Sequence, residues 1–417
     1  MRAFCGLALA GMIVSGPALA GPMGEQLPDL LYAGTAVENR EAVLAECDGG
    51  AADACFGLGL IDLVTTAEGL SQALYRHGAT TPDMAGAAFF LGLPLDIEVE
   101  PANPDPEPLD YAGLRAILED FVAGLDQARQ SFLRAGEAGD YLMLVDPLRV
   151  RLDMDGDGTA GDGETLAALL GDMIDLPAPR TKGDKTSAPE TNIGFDRADA
   201  FWFAGYTQIT AAPVDLLLAH DFSDFFAAIG HRFFPNAELP MQDHARGGTL
   251  VMDAESDAFF ADAIAALHRA SFPVQDAERL RGVLARAQAV TELSRRNWEA
   301  ILAETDDNRE LVPSPRQTSL VPGHNVTDEV VEAWMATLDR VDEILAGELL
   351  LPHWRFRQGF DLKAYFETAT ETDLVMLFTG QGALPFLRDG PVADAESFAA
   401  GNAVFGENWP SFAIWFN

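Results

Sequence analysis

Tyr111-Ala112-Gly113-Leu114-Arg115-Ala116-Ile117-Leu118-Glu119-Asp120-Phe121-Val122-Ala123-Gly124-Leu125-Asp126-Gln127-Ala128-Arg129-Gln130-Ser131-Phe132-Leu133-Arg134-Ala135 decides the fold class. Leu114, Ile117, Leu118, Phe121, Leu125 and Phe132 recur at helical steps and form one apolar face. The same periodicity extends in both directions. Upstream lie Leu27–Leu31, a helix over Glu38–Cys47, another over Ala52–Val64, and a stripe over Ala67–His77 through Leu70, Leu74 and Tyr75. Met84–Leu93 is short and apolar, and Glu100–Pro108, with four prolines, reads as a loop.

Downstream, Asp196–His220 is the most apolar helix, with Phe201, Trp202, Phe203 and Tyr206 supplying bulk around it. Ser223–Phe234 extends that core. Asp257–Ala270 and Asp276–Glu304 are expected to form an antiparallel helical pair joined at Pro273. Thr327 can cap a helix running to Ala346, with Asp328 and Glu329 favourable at its N-terminal dipole. Asp361–Thr368 reads as a short helix, Asp373–Phe378 as a strand, and Trp409–Phe416 as an aromatic terminal segment. An outer-membrane barrel is excluded, because barrels need many alternating strands of about ten residues. The expected fold is mainly α, an irregular helical array or bundle with little or no sheet. Pro177–Gly194 holds Pro, Gly, Ser, Thr and two of the three lysines, and reads as a linker or long surface loop. It would divide an N-terminal helical domain, residues 21–176, from a C-terminal one, residues 195–417.

The first twenty residues read as a secretory signal: Arg2, an apolar core over Leu7–Val14, and Ala18-Leu19-Ala20 before a cleavage point near Gly21. That core is too short to span a bilayer. The residue directly after the cleavage point is Gly21 and not a cysteine, so a lipid anchor is not indicated. Ala198–Ala219 is apolar, but its Asp199, Thr207, Gln208, Thr210, Pro213 and Asp215 mark a buried soluble helix. No membrane insertion is expected after cleavage, and the location is periplasmic or secreted. The formal charge is −38, and loss of Arg2 would make it −39. Such a field repels nucleic acid and anionic membranes and attracts cations. The acids are spread along an apolar-rich chain, so they also read simply as a solubilising surface.

One stretch names a ligand. Asp153-Met154-Asp155-Gly156-Asp157-Gly158-Thr159-Ala160-Gly161-Asp162-Gly163-Glu164 places acids at positions one, three and five, glycine at six and glutamate at twelve. It resembles the calcium loop of the EF-hand. The resemblance implies one oxygen each from Asp153, Asp155 and Asp157, a backbone carbonyl from Thr159, water at Gly161, and two oxygens from Glu164. Calcium, a hard cation, takes six to eight such oxygens. Without a cation, four carboxylates this close repel one another. Two positions depart from the family pattern. Ala160 stands at position eight, where a branched apolar residue pairs with a second hand, and Pro147 interrupts the entering helix Tyr141–Leu152. The exiting helix would be Glu164–Ile174, with Leu166, Leu169, Leu170 and Met173 on one face. No second hand is present: Asp253, Glu255 and Asp257 imitate one, but Ala258 and Ile264 occupy positions six and twelve. The alternative is an acidic, glycine-rich turn without metal. As a single hand it reads as a structural site, with affinity of about 10⁻⁴–10⁻³ M.

Once the signal is removed, Cys47 and Cys55 form an even pair. Gly50-Ala51-Ala52-Asp53-Ala54-Cys55-Phe56-Gly57-Leu58-Gly59, preceded by Cys47, is similar to the helix-turn-helix junction of Sel1-type repeats. That resemblance implies a Cys47–Cys55 disulfide pinning two antiparallel helices, with Ala54, Gly57 and Gly59 letting the backbones approach. The closed loop is short, so the bridge is worth about 2–3 kcal/mol. Two thiolates with no third ligand nearby do not make a zinc site.

No phosphate loop, G-x-S-x-G elbow or H-E-x-x-H occurs. His220 and His231 flank an acidic helix containing Asp221 and Asp224, and His353 sits in His353-Trp354-Arg355-Phe356-Arg357. Ion-pair networks imitate such sites, so a structural role is expected for these histidines. The expected function is an extracytoplasmic calcium-binding protein with a structural ion and a binding or scaffolding role, more a non-enzyme than an enzyme. The alternatives are a periplasmic hydrolase with a calcium-stabilised loop, which needs a deep pocket lined by those histidines, and a peptide-binding helical-repeat protein, which needs a concave groove.

Overall fold

The computed structural model describes residues 22–80, 103–169, 191–320 and 325–416. The signal segment, Met84–Leu93 and most of the expected linker lie outside the described residues. Within them the chain is mainly α. Helices α1 (Pro22–Ala33), α2 (Arg40–Asp48), α3 (Ala52–Arg76) and α4 (Tyr111–Ala138) are followed by α5 (Arg197–Leu218), α6 (Ser223–Ile229), α7 (Ala254–His268) and α8 (Ala277–Ala303). Then come α9 (Asp328–Leu345), α10 (Leu362–Thr368), α11 (Leu374–Thr379), α12 (Ala399–Phe405) and α13 (Trp409–Phe416).

Among the described residues the sheets are three antiparallel two-stranded ties. β1 (Met143–Val145) pairs with β2 (Ile193–Phe195) in the register Met143↔Phe195. β3 (Ser271–Pro273) pairs with β5 (Glu371–Asp373), and β4 (Gly359–Phe360) with β6 (Leu387–Arg388).

The long helices pack in the order α3, α4, α5, α8. Phe56 on α3 is the hub. Its ring lies 5.3–5.7 Å from those of Phe132, Tyr141, Phe195 and Phe203. Leu27, Phe132, Phe201, Ala204 and Leu293 belong to the same buried cluster, so the core runs straight across the division expected at 177–194. A second cluster joins Trp298, Trp334, Phe405 and Phe416, and a third joins Leu280, Leu284, Tyr365 and Phe366. Arg286 on α8 bonds Asp215 of α5 through Nε at 2.6 Å and Asp126 of α4 through Nη2 at 2.7 Å. This polar tie holds three helices together.

Helix ends follow the capping chemistry. Asp110, Asp196, Asp253, Asp276, Thr327, Asp361 and Asp373 each accept a backbone N–H at the start of a helix. Asp373 explains one correction: it ends β5 and its carboxylate caps α11, so Leu374–Phe378, expected as strand, is helical. A second concerns the helical pair expected at Pro273. β3 separates the two helices, α7 packs on α6, and α8 packs on α5. A third concerns the small residues of α3. Gly57 faces Leu27 of α1 and Gly59 faces Phe132 of α4, so they admit those neighbours and not α2.

One described helix, α3, is long and apolar enough to cross a membrane, but over half of its apolar stretch is buried in this core.

Candidate metal centre

The loop 153–164 hangs from a short extended frame. Val150 and Leu152 are buried, Arg151 bridges Thr165, and the Leu152 N–H reaches the Glu164 carbonyl at 3.0 Å. The entering segment is therefore not the helix Tyr141–Leu152. It holds β1, a 3₁₀ turn over Pro147–Arg149 and this bridge. Pro147 lacks the N–H that a helix interior needs, but it suits the first position of a turn capped by Asp146. On the exit side a 3₁₀ turn over Asp162–Glu164 leads to a helix over Leu166–Leu169, and the rest of Glu164–Ile174 lies outside the described residues.

Inside the loop the acids turn inward through their own backbone. Asp153 accepts the Gly156 N–H at 2.8 Å and the Gly158 N–H at 3.0 Å. Asp155 accepts from Asp157 N at 3.0 Å. Glu164 reaches back to Met154 N at 2.8 Å and Gly161 N at 2.6 Å. Gly158 has φ +87°, the left-handed bend that lets the chain fold around one point. As a result, carboxylate oxygens of Asp153, Asp155 and Glu164 all lie within 4.8 Å of one another. Two ligands of one calcium ion, each bonded at about 2.3–2.6 Å, are separated by no more than about 5 Å. Asp157 stands outside that group. Its carboxylate takes the Thr159 N–H at 2.8 Å and hydroxyl at 2.6 Å, and these bonds lower its pKa.

Three contacts place the loop against the body, and the sequence did not announce them. On α3, Gln72 Nε2 donates to the Asp153 carbonyl at 2.7 Å, and Ser71 Oγ to that of Met154 at 2.9 Å. Glu68 Oε1 accepts the Asp153 N–H at 2.9 Å. Burial raises the Glu68 pKa, the bond from Asp153 N opposes this, and the Asp153 and Glu164 charges add to the rise. Glu68 is thus a further carboxylate at the loop, delivered by an element 85 residues away in sequence. The only prior signal for it was its place on the stripe 67–77. Ala160 packs on the turn after α1, where a methyl on Gly34 would come within 2.7 Å of the Ala160 Cβ.

Cys47 and Cys55 lie at disulfide distance, with Cα atoms 4.6 Å apart, across the turn between α2 and α3. His220, His231 and His353 do not converge. His220 is buried, with Nδ1 2.6 Å from the Leu216 carbonyl and Nε2 2.7 Å from Thr372 Oγ1. Burial lowers its pKa. His231 Nε2 lies 3.0 Å from Asp262, which Arg232 also holds at 2.6 Å. His353 bonds the Leu377 carbonyl at 3.0 Å. A cleft of about 660 Å³ between α4, α5 and α8 is lined by Asp126, Gln208, Asp215, Arg279 and Arg286, and by none of these histidines. Its charged groups are largely committed to each other. Compared with protein-family models, curated proteins and solved structures, the chain has no match.

Proposed function

We propose that this is an extracytoplasmic protein whose loop 153–164 binds one calcium ion as a structural clasp, with a wider role in binding or scaffolding. The observation that carries the reading is the convergence of Asp153, Asp155 and Glu164 oxygens on one point, in a loop built by Gly158. All-oxygen, carboxylate-rich donors suit a hard cation. The frame around the loop favours a clasp over a switch. Sensor hands work by moving two flanking helices. Here a β-type bridge closes the base of the loop, and the bonds donated by Ser71 and Gln72 and accepted by Glu68 fasten it to α3. The cysteine pair at disulfide distance and the signal-like N-terminus support an oxidising compartment outside the cytoplasm.

Millimolar calcium is expected to raise the melting temperature of the wild type, and Asp153→Ala or Glu164→Ala to abolish the rise. An unchanged melting curve for the wild type would remove the site. Non-reducing mass spectrometry of the exported protein is expected to find no alkylatable thiol at Cys47 or Cys55.

A further inference from the structure

Helix α7 is built inside out. Its one buried residue is a carboxylate, Asp262, which accepts the Arg232 Nε–H at 2.6 Å and lies 3.0 Å from His231 Nε2. Arg232 also pairs with Glu255 of the same helix. Phe260, Ile264 and Leu267 are spaced as one stripe, and Asp262 lies about 200° around the helix from Phe260, so the stripe turns away from the body. Ile264 is 59% and Leu267 61% exposed. An amphipathic helix of a folded protein ordinarily turns such a stripe inward. The face is extended and held in shape at its N-terminal end. The backbone N–H groups of Leu250, Val251 and Met252 all donate to the Asp257 carboxylate, at 2.6, 2.9 and 3.2 Å. Asp257 stands one turn before Phe260, so this nest of N–H groups fixes Leu250, which is 87% exposed, beside the stripe. A surface formed in advance loses little freedom when it is covered.

The chain supplies an apolar occupant beside this face. Within residues 81–102, residues 84–95 form a run without charge that carries Met84, Phe89, Phe90, Leu91, Leu93 and Leu95. The chain departs at Thr80, whose N–H donates to the Phe233 carbonyl at 2.8 Å, next to the Arg232 that holds α7. It returns at Asn103, whose Nδ2 donates to the carbonyls of Tyr75 and Arg76 at 3.0 Å. The step from Thr80 to Met84 spans at most about 14 Å. A helix with its side chains is about 10–12 Å across, so the run begins within reach of the far side of α7. From Leu95 back to Asn103 about 29 Å is available. A second copy of the chain, or an anionic bilayer, would instead have to approach a molecule of charge −38.

We propose that the outward face of α7, from Leu250 to Leu267, is the docking surface for residues 84–95 of the same chain. The contact is apolar on both sides, so it needs no ion pairing across it. The tether makes the docking intramolecular, at an effective concentration on the order of millimolar, so even a weak contact is occupied. It would join the end of α3 to a helix that the described residues hold mainly through Asp262, Glu255 and its packing on α6.

Hydroxyl-radical footprinting of the full wild-type chain, read by mass spectrometry, tests this without any substitution. Phe378 is 71% exposed and Phe260 44%, so a bare face would label the two in roughly that proportion. With the face covered, Phe260 is expected to label at least about fivefold less than Phe378. Phe89→Asp with Phe90→Asp, checked for helical content by circular dichroism, is expected to raise Phe260 labelling at least about threefold. In the reverse direction, chymotrypsin is expected to spare residues 84–95 in the wild type and to cut there in Phe260→Asp with Ile264→Asp. The docking is overturned if wild-type Phe260 labels in proportion to its exposure, if the segment substitutions leave that labelling unchanged, or if chymotrypsin cuts the segment equally in both proteins. It is also overturned if the protection of Phe260 is lost on dilution as sedimentation shows a dimer dissociating, which would make a second copy the occupant. Protection that appears only with phosphatidylcholine vesicles would make the occupant a bilayer, with the same result.

Discussion

Gly34 and Ala160 show how a single residue fixes the setting of the loop. Gly34 has φ +70°, and a methyl there would come within 2.7 Å of the Ala160 Cβ. Gly34→Ala combines backbone strain with overpacking, and should cost about 1–3 kcal/mol in urea denaturation. Ala160→Val, which restores the branched residue usual in EF-hands, should also destabilise, because the position faces a turn of the same chain and not a second hand. This marks the limit of what was legible. The loop acids and Gly158 could be read from the sequence, because their spacing is local and their chemistry specific. Glu68, Ser71 and Gln72 could not, because nothing local distinguishes them from other polar residues on an apolar stripe. The same holds for Glu304 and Glu310, whose carboxylates are brought to Asp196 by the packing of α8 on α5 and by the bridge from Glu310 to Gly194.

At the scale of elements, periodicity located the long helices well, since burial of one face and a capping aspartate act within a few residues. It failed where pairing is non-local. β3 and β5 meet across about a hundred residues, and that contact both separates α7 from α8 and leaves Asp373 to start a helix. The junction of α5 and α8 makes a pH prediction. Asp196, Glu310 and Glu304 have folded-state values of about 6, 7 and 9, above the ordinary 3.8 and 4.5. A raised folded value means that the native chain binds the extra protons. The stabilisation is therefore full at low pH and is lost as pH rises through those values. Relative to Glu304→Gln, the wild type should lose melting temperature between about pH 5 and pH 9. The turn between α2 and α3 makes another. Cys47→Ser with Cys55→Ser should lower stability by about 2–3 kcal/mol without changing helical content.

For the whole molecule, the described residues share a core that does not respect the expected two-part division. Phe195, Phe201 and Ala204 are buried against Phe56 and Phe132, and Arg286 reaches both Asp126 and Asp215. A fragment of residues 195–417 expressed alone should lack cooperative unfolding and near-ultraviolet circular dichroism, because it would expose the face of α5 that α4 covers. Composition suggested a boundary because turn-forming residues concentrate at 177–194, but a long connection does not imply that the cores beside it are separate. The bonds from Gln72 to the Asp153 carbonyl and from the Asp153 N–H to Glu68 span 81 and 85 residues, and they have a consequence in time as well as in space. Contacts between such distant positions form only after much of the chain is already in place. An ion held by the loop would thus stabilise interactions that are absent from the folding transition state. Stopped-flow chevrons with and without calcium should show an unchanged refolding limb and a slower unfolding limb, so that the ion prolongs the lifetime of the native protein without hastening its formation.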